Sequence, residues 1–367
     1  MDINDEVIKR GVRDDALYVG RLFRDISTHE DGALGWIISF CAIPYLSLFL
    51  HEARAKPAAI DPAVFSGFSA DAEEICARAR HSLKLFEDTK RGIEAQLNYF
   101  EDDIRSAHAD RFLNNTWLKP AKFLECDLGL YKFRGETIST THAATFHLGV
   151  EPRRLLEEDG GPYVASITQQ YGEAFAKLGA TFDSGAETFV RHLTKVDFTD
   201  RDKRSSRYYK KVFNGDATAA LNGILTGFQA MMNFAASIIT AGSDASDLEY
   251  TVFKIRYLAL YTVLASLRLL HDDPKYPLTR SSHEAVRSLI DHPDALLVTD
   301  GSGRPFRNTL MHYNLVGAAA RTHADLGQPV FGLVPLYFPA HDFESFSVVV
   351  DRCVRATARG LNEWANA

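Results

Sequence analysis

The segment Phe306-Arg307-Asn308-Thr309-Leu310-Met311-His312-Tyr313 puts an arginine, an asparagine and a histidine within a few residues of one another. An imidazole with an ordinary pKa of about 6.5 can take or give a proton at neutral pH. A guanidinium stays charged, and its fork of donors matches phosphate oxygens and charge that builds up in a transition state. Asn308 can orient the phosphate or the histidine. Together the three side chains suit acid–base chemistry on a phosphate ester.

The Arg-x4-His spacing occurs three times, so spacing alone does not select a site. Arg24-Asp-Ile-Ser-Thr-His29 runs into Glu30 and Asp31, which repel a phosphate. Arg287-Ser-Leu-Ile-Asp-His292 precedes Pro293, where a helix is expected to end. The Arg307 copy alone carries the adjacent asparagine, a following Tyr313 and a setting among several helical segments. A helix starting at Pro305 puts Asn308 and His312 on one face. Arg307 then lies about 140° around the axis from His312 and reaches that face from the rim. Phe306, Leu310, Tyr313, Gly317 and Ala320 form the stripe expected to face the core. Asn308, His312, Leu315 and Ala319 are expected to lie outward, where two copies of the helix could pair.

The Arg-Asn-x-x-x-His pattern resembles the R-x4-6-H motif of the HEPN superfamily, whose catalytic members are metal-independent endoribonucleases. The resemblance covers the C-terminal 160 residues at most. It implies a HEPN-like helical bundle, a site shared across a homodimer, and Arg307, Asn308 and His312 as catalytic residues. The substrate would be RNA, whose 2′-OH is the nucleophile, giving 2′,3′-cyclic phosphate and 5′-OH ends with no metal or cofactor. Members often serve as toxins or antiviral effectors, which raises a regulatory partner or antitoxin as a further partner. A non-catalytic module binding RNA, nucleotide or protein fits the same residues.

A second segment fits a polyanion. Arg201-Asp-Lys-Arg-Ser-Ser-Arg-Tyr-Tyr-Lys-Lys211 holds six basic residues and one acid. Lys203, Arg204, Arg207, Lys210 and Lys211 can neutralise phosphates, while Tyr208 and Tyr209 can stack on unpaired bases. A solvated basic linker is the plainer reading. The 367 residues carry a net charge of −7, unevenly spread. Residues 1–200 hold 23 basic and 32 acidic side chains, and residues 201–367 hold 18 and 16.

The elements that must position these groups read as mainly α. Residues 1–200 are expected to be a helical domain with a small β-hairpin insertion and a regulatory or sensing role. Residues 201–367 are expected to be the bundle. One long helix is expected over 71–108, with Asp102, Asp103, His108 and Asp110 on a solvated face. A hairpin is expected at 130–133 and 136–140 about Arg134-Gly135, and a helical run over 164–194. Later helices are expected over 217–240, 248–271, 282–290 (capped by Ser282), 305–326 and 343–364.

Residues 33–50 carry no formal charge but are short for a membrane span and contain Pro44, so a buried core helix is expected. Cys41, Cys76, Cys126 and Cys353 form no CxxC pair, and the acidic start shows no secretory signal. A cytoplasmic protein is expected. Phosphate-loop, dinucleotide, nucleophile-elbow and HExxH motifs are absent. His142 and His147 have no carboxylate pattern beside them and read as ordinary packing or surface histidines.

Overall fold

The computed structural model describes residues 2–87, 92–117, 119–181, 185–215, 218–244, 248–276, 278–315 and 317–367. Parts of the expected runs at 71–108, 164–194, 217–240 and 305–326 lie outside the described residues.

The chain is mainly helical with one small antiparallel sheet. Asp2 caps α1 (Ile3–Ser27), which packs on α2 (Gly32–Arg54). As one helix α2 runs through Pro44, and it is long and apolar enough to cross a membrane. Two thirds of its most apolar window (67%) is buried inside the protein, so much of its apolar surface is covered by its neighbours. Ser69 caps α3 (Ala70–Ser82).

The expected single helix over 71–108 is broken. It stops at Ser82, and Leu85 takes a left-handed φ of 47° at the head of a 3-10 turn over Leu85–Glu87. Beyond the next described gap come α4 (Gly92–Asn98), a π-helical stretch over Tyr99–Arg105 and α5 (Ser106–Phe112). The turn buries Leu85 and Phe86, which a straight helix would have spread around its surface. His108 is buried at 3% exposure, not solvated, and bonds Thr145.

The expected hairpin is present as β1 (Leu128–Phe133) and β2 (Glu136–Thr140), turning at Arg134 and Gly135 with φ of 49° and 88°. Gly135 takes the left-handed conformation without a Cβ penalty. Thr140 then caps α6 (Thr141–Leu148), followed by α7 (Pro152–Leu155) and α8 (Gly160–Lys177). β3 (Phe198–Lys203) pairs antiparallel with the free edge of β1, giving the order β2-β1-β3. Residue 200, the expected domain boundary, lies inside β3, so residues on both sides of it build one sheet.

After the single turn of α9 (Ser205–Tyr208) come α10 (Ala219–Asn233), α11 (Tyr250–Asp272), α12 (Arg280–Ile290) and α13 (Pro293–Thr299). The cap of α12 is Thr279, whose hydroxyl accepts from the Ser282 amide. Ser282 itself accepts from the Trp364 indole. Then follow α14 (Gly303–His312), α15 (Ala318–His323), α16 (Val334–Tyr337) and α17 (Phe343–Ala365). The helix expected to reach Leu326 ends at His312, because Tyr313 turns left-handed (φ 49°, ψ 34°).

Helix α11 is the spine, buried from Thr251 to Leu264 and touched by α1, α10, α12, α14 and α17. Its Lys254 is wholly buried. Burial pulls the lysine pKa down, while the charge and hydrogen bond of Asp15 pull it up; the net direction is down. Lys254 Nζ donates to Asp15 at 2.7 Å, Thr251 donates to the other oxygen at 2.7 Å, and the Tyr313 hydroxyl donates to the same carboxylate. The Tyr313 ring centre lies 3.7 Å from Nζ, which adds a cation–π contact. These contacts offset the left-handed backbone at Tyr313.

Removing one partner of a buried ion pair strands the other in low dielectric. Asp15→Ala is therefore expected to lower unfolding free energy by about 3–5 kcal/mol. Urea unfolding checks this; an unchanged midpoint would show that the pair contributes nothing.

Candidate active site on helix α14

Phe306 sets the rotation of α14. It is fully buried, with ring centroids of Tyr257, Phe338 and Phe346 at 5.0, 5.4 and 5.9 Å. With that face inward, Arg307 is carried into a buried position rather than out to the expected rim. Its side chain is 9% exposed. One guanidinium nitrogen donates to Asn308 Oδ1 at 2.9 Å, and the other terminal nitrogen donates to Glu87 at 3.0 Å. The guanidinium carbon lies 5.5 Å from the centre of the Tyr261 ring. Burial pushes the Glu87 carboxyl up, against the opposing pull of Arg307, Arg304 and Lys84, and the net direction is upward.

His312 sits at the other end of α14 on a different carboxylate. Its Nδ1 lies 2.8 Å from Glu52 Oε2. The second oxygen of Glu52 accepts from Arg80 Nε at 2.9 Å. Glu52 is 6% exposed, whereas the His312 side chain is 31% exposed. Burial pushes the Glu52 carboxyl up, but the His312 hydrogen bond, the His312 charge and Arg80 outweigh it and hold it down at about 2. With Nδ1 donating to Glu52, Nε2 is the nitrogen free to exchange a proton.

Arg307 and His312 therefore lie on one short helix, each fastened to its own glutamate from the first ninety residues. Among the described residues no common partner joins them. Asn308 is half-buried and serves Arg307. The outward row expected over Asn308, His312, Leu315 and Ala319 does not exist as one face, because α14 ends at His312 and Leu315 is buried at 1%.

The other two Arg-x4-His copies have local structural work. Arg24 binds Asp25 and the carbonyls of Gly185 and Ala186. His292 Nδ1 accepts the Asp294 amide and caps α13.

No family model, curated protein or solved structure matches the chain.

The basic segment divides into an anchored and an open side. Asp127 accepts from the Ser205 amide and hydroxyl at 2.7 and 2.6 Å, which fixes the start of α9. Tyr209, expected to stack on a base, is wholly buried and shares a hydrogen bond with His142 at 3.2 Å. Its ring packs against Phe100, so it cannot meet RNA. Lys203, Arg207, Lys210 and Lys211 are exposed, and Arg204 and Tyr208 are half-buried.

Spacing within α14 could not have disclosed Glu52, Glu87 or Arg80, which arrive from 220 and 260 residues away along the chain in the two pairings with α14. The one local signal is a glutamate two residues after the uncharged run of α2. Among the described residues no cluster of metal-ligating side chains is found.

The lowered carboxyl of Glu52 gives a pH test. A depressed folded pKa stabilises the protein above the unfolded value, near 4.5, and that contribution is lost as pH falls through about 2. Its size is on the order of 3 kcal/mol. Glu52→Gln is expected to remove this part of the acid dependence, read as stability from urea unfolding between pH 5 and the acid limit. An unaltered pH slope in the variant would mean that Glu52 is not the responsible group.

Proposed function

We propose that the protein is a metal-independent endoribonuclease acting through Arg307, Asn308 and His312. The observation that carries this reading is the His312 imidazole held through Nδ1 by buried Glu52 while its ring stays partly open, on the helix that also bears the hydrogen-bonded Arg307–Asn308 pair. A carboxylate behind an imidazole fixes its tautomer and orientation and stabilises the imidazolium.

His312 Nε2 accepts the proton of a ribose 2′-OH as that oxygen bonds to phosphorus. The bond from phosphorus to the 5′-oxygen breaks, and a protonated histidine returns a proton to the leaving oxygen. Arg307 neutralises the charge gained by the phosphate. Glu87 occupies the guanidinium in the resting protein, so substrate phosphate takes its place there. A homodimer, as the HEPN resemblance implies, would supply one histidine as base and the other as acid.

A second reading is a non-catalytic RNA-binding module. The burial of Arg307 and its pairing with Glu87 favour that one, because a wholly structural arginine would be held in the same way.

Incubation with single-stranded RNA in EDTA separates the two. The wild type is expected to cleave, and His312→Ala to lose roughly 10²–10⁴-fold in rate, with 2′,3′-cyclic phosphate ends on the wild-type products. Equal cleavage by both proteins would remove His312 from the chemistry. A wild type that binds RNA without cutting it would leave the binding module.

A further inference from the structure

A groove of about 640 Å³ lies between β3, α9 and the end of α17. Lys203, Arg207 and Lys211 line it, four residues apart in sequence, with half-buried Tyr208 beside them. Phe123 and Leu124 line it too, at 57% and 67% exposure. Asp202 is the acidic side chain in the lining. Among the described residues, none of the three cations has a carboxylate within ion-pair distance. Elsewhere in this acidic protein, arginines such as Arg54, Arg78, Arg134 and Arg154 do. The segment is held rigid from behind: Ser205 is tied to Asp127, Arg204 to the Lys122 carbonyl at 3.0 Å, and the Tyr209 carbonyl to Asn222 at 2.7 Å.

We propose that this groove binds single-stranded RNA, with Lys203, Arg207 and Lys211 on the phosphates and Tyr208 and Phe123 against the bases. The proposal rests on the RNA reading above but not on cleavage. Unpaired cations beside the open Phe123 ring and the half-buried Tyr208 are what an unpaired strand uses, since every base offers a π-face. A duplex fits less well. The deep groove of A-form RNA is closed to side chains, and α9 is a single turn with no length to lay across a helix. A membrane surface calls for a long amphipathic face, whereas here the cations line a cleft.

The groove is remote from α14. Phe306 packs on Phe346 near the start of α17, and the groove meets Ala365 at its end, about 28 Å along the helix axis. A strand held at both places needs roughly eight stacked nucleotides at about 3.4 Å each.

The test uses full-length protein carrying His312→Ala, so that RNA survives the measurement, and reads anisotropy of a labelled, unstructured 20-nucleotide RNA. Adding Lys203→Glu, Arg207→Glu and Lys211→Glu is expected to weaken binding more than tenfold. The slope of log affinity against log salt should fall by about 2, from three phosphate contacts on a single strand. Phe123→Ala, which keeps every charge, should weaken binding with the salt slope unchanged. A 20-base-pair RNA duplex and phosphatidylserine vesicles should bind more weakly than the single strand.

Parental affinity in the triple variant, with its melting temperature retained, would overturn the proposal. So would groove-dependent binding of the duplex or the vesicles at the strength of the single strand. Failure of the cleavage reading shows instead as equal cutting by wild type and His312→Ala, and leaves this binding measurement intact.

Discussion

Lysine in the middle of a helical core has to find a carboxylate, and much of the arrangement around α14 follows from where Lys254 finds one. Asp15 comes from α1 and takes three donors at once: the Lys254 ammonium, the Thr251 hydroxyl and the Tyr313 hydroxyl. That cluster fixes α1 against the spine. It also captures Tyr313, and a captured Tyr313 cannot continue the helix it follows. The end of α14, and with it the position of His312, is thus set by a charge that must be matched in the core.

The same logic repeats beside it. Glu52 lies between Arg80 and His312, and Glu87 meets Arg307. All three carboxylates belong to the first ninety residues, and the groups they meet on α11 and α14 belong to the last hundred and twenty. The early and late parts of the chain are joined by apolar packing and by matched charges, several of them around α11 and α14. This gives the candidate site a double character. The carboxylates orient an imidazole and a guanidinium, and they also occupy the guanidinium that a phosphate would need.

Much of the architecture was legible in the sequence. Helical periodicity and turn residues pointed to α10, α11, α17 and the β1–β2 hairpin, because each is local: a cap, an apolar stripe, an Arg-Gly turn. The failures were contacts made at long range. Nothing near residues 71–108 announces that Leu85 must reverse its φ to bury a 3-10 turn. Nothing after Pro305 announces that Tyr313 leaves the helix for Asp15. In the basic segment the pattern disclosed charge, but not that Tyr209 faces His142 while Tyr208 stays at the groove. Within the site, Arg307, Asn308 and His312 could be singled out by type and spacing. Their glutamates could not, since a chain bringing them from α2 and the turn after α3 leaves no periodic trace.

The separation between Asp15 and Lys254 is 239 residues. During synthesis at roughly 5–20 residues per second, α1 would wait on the order of 10–50 s for its countercharge to leave the ribosome. In that interval the aspartate remains hydrated, while α2 already has α1 and α3 to pack on. The Asp15–Lys254 contact therefore cannot form until α11 has been made.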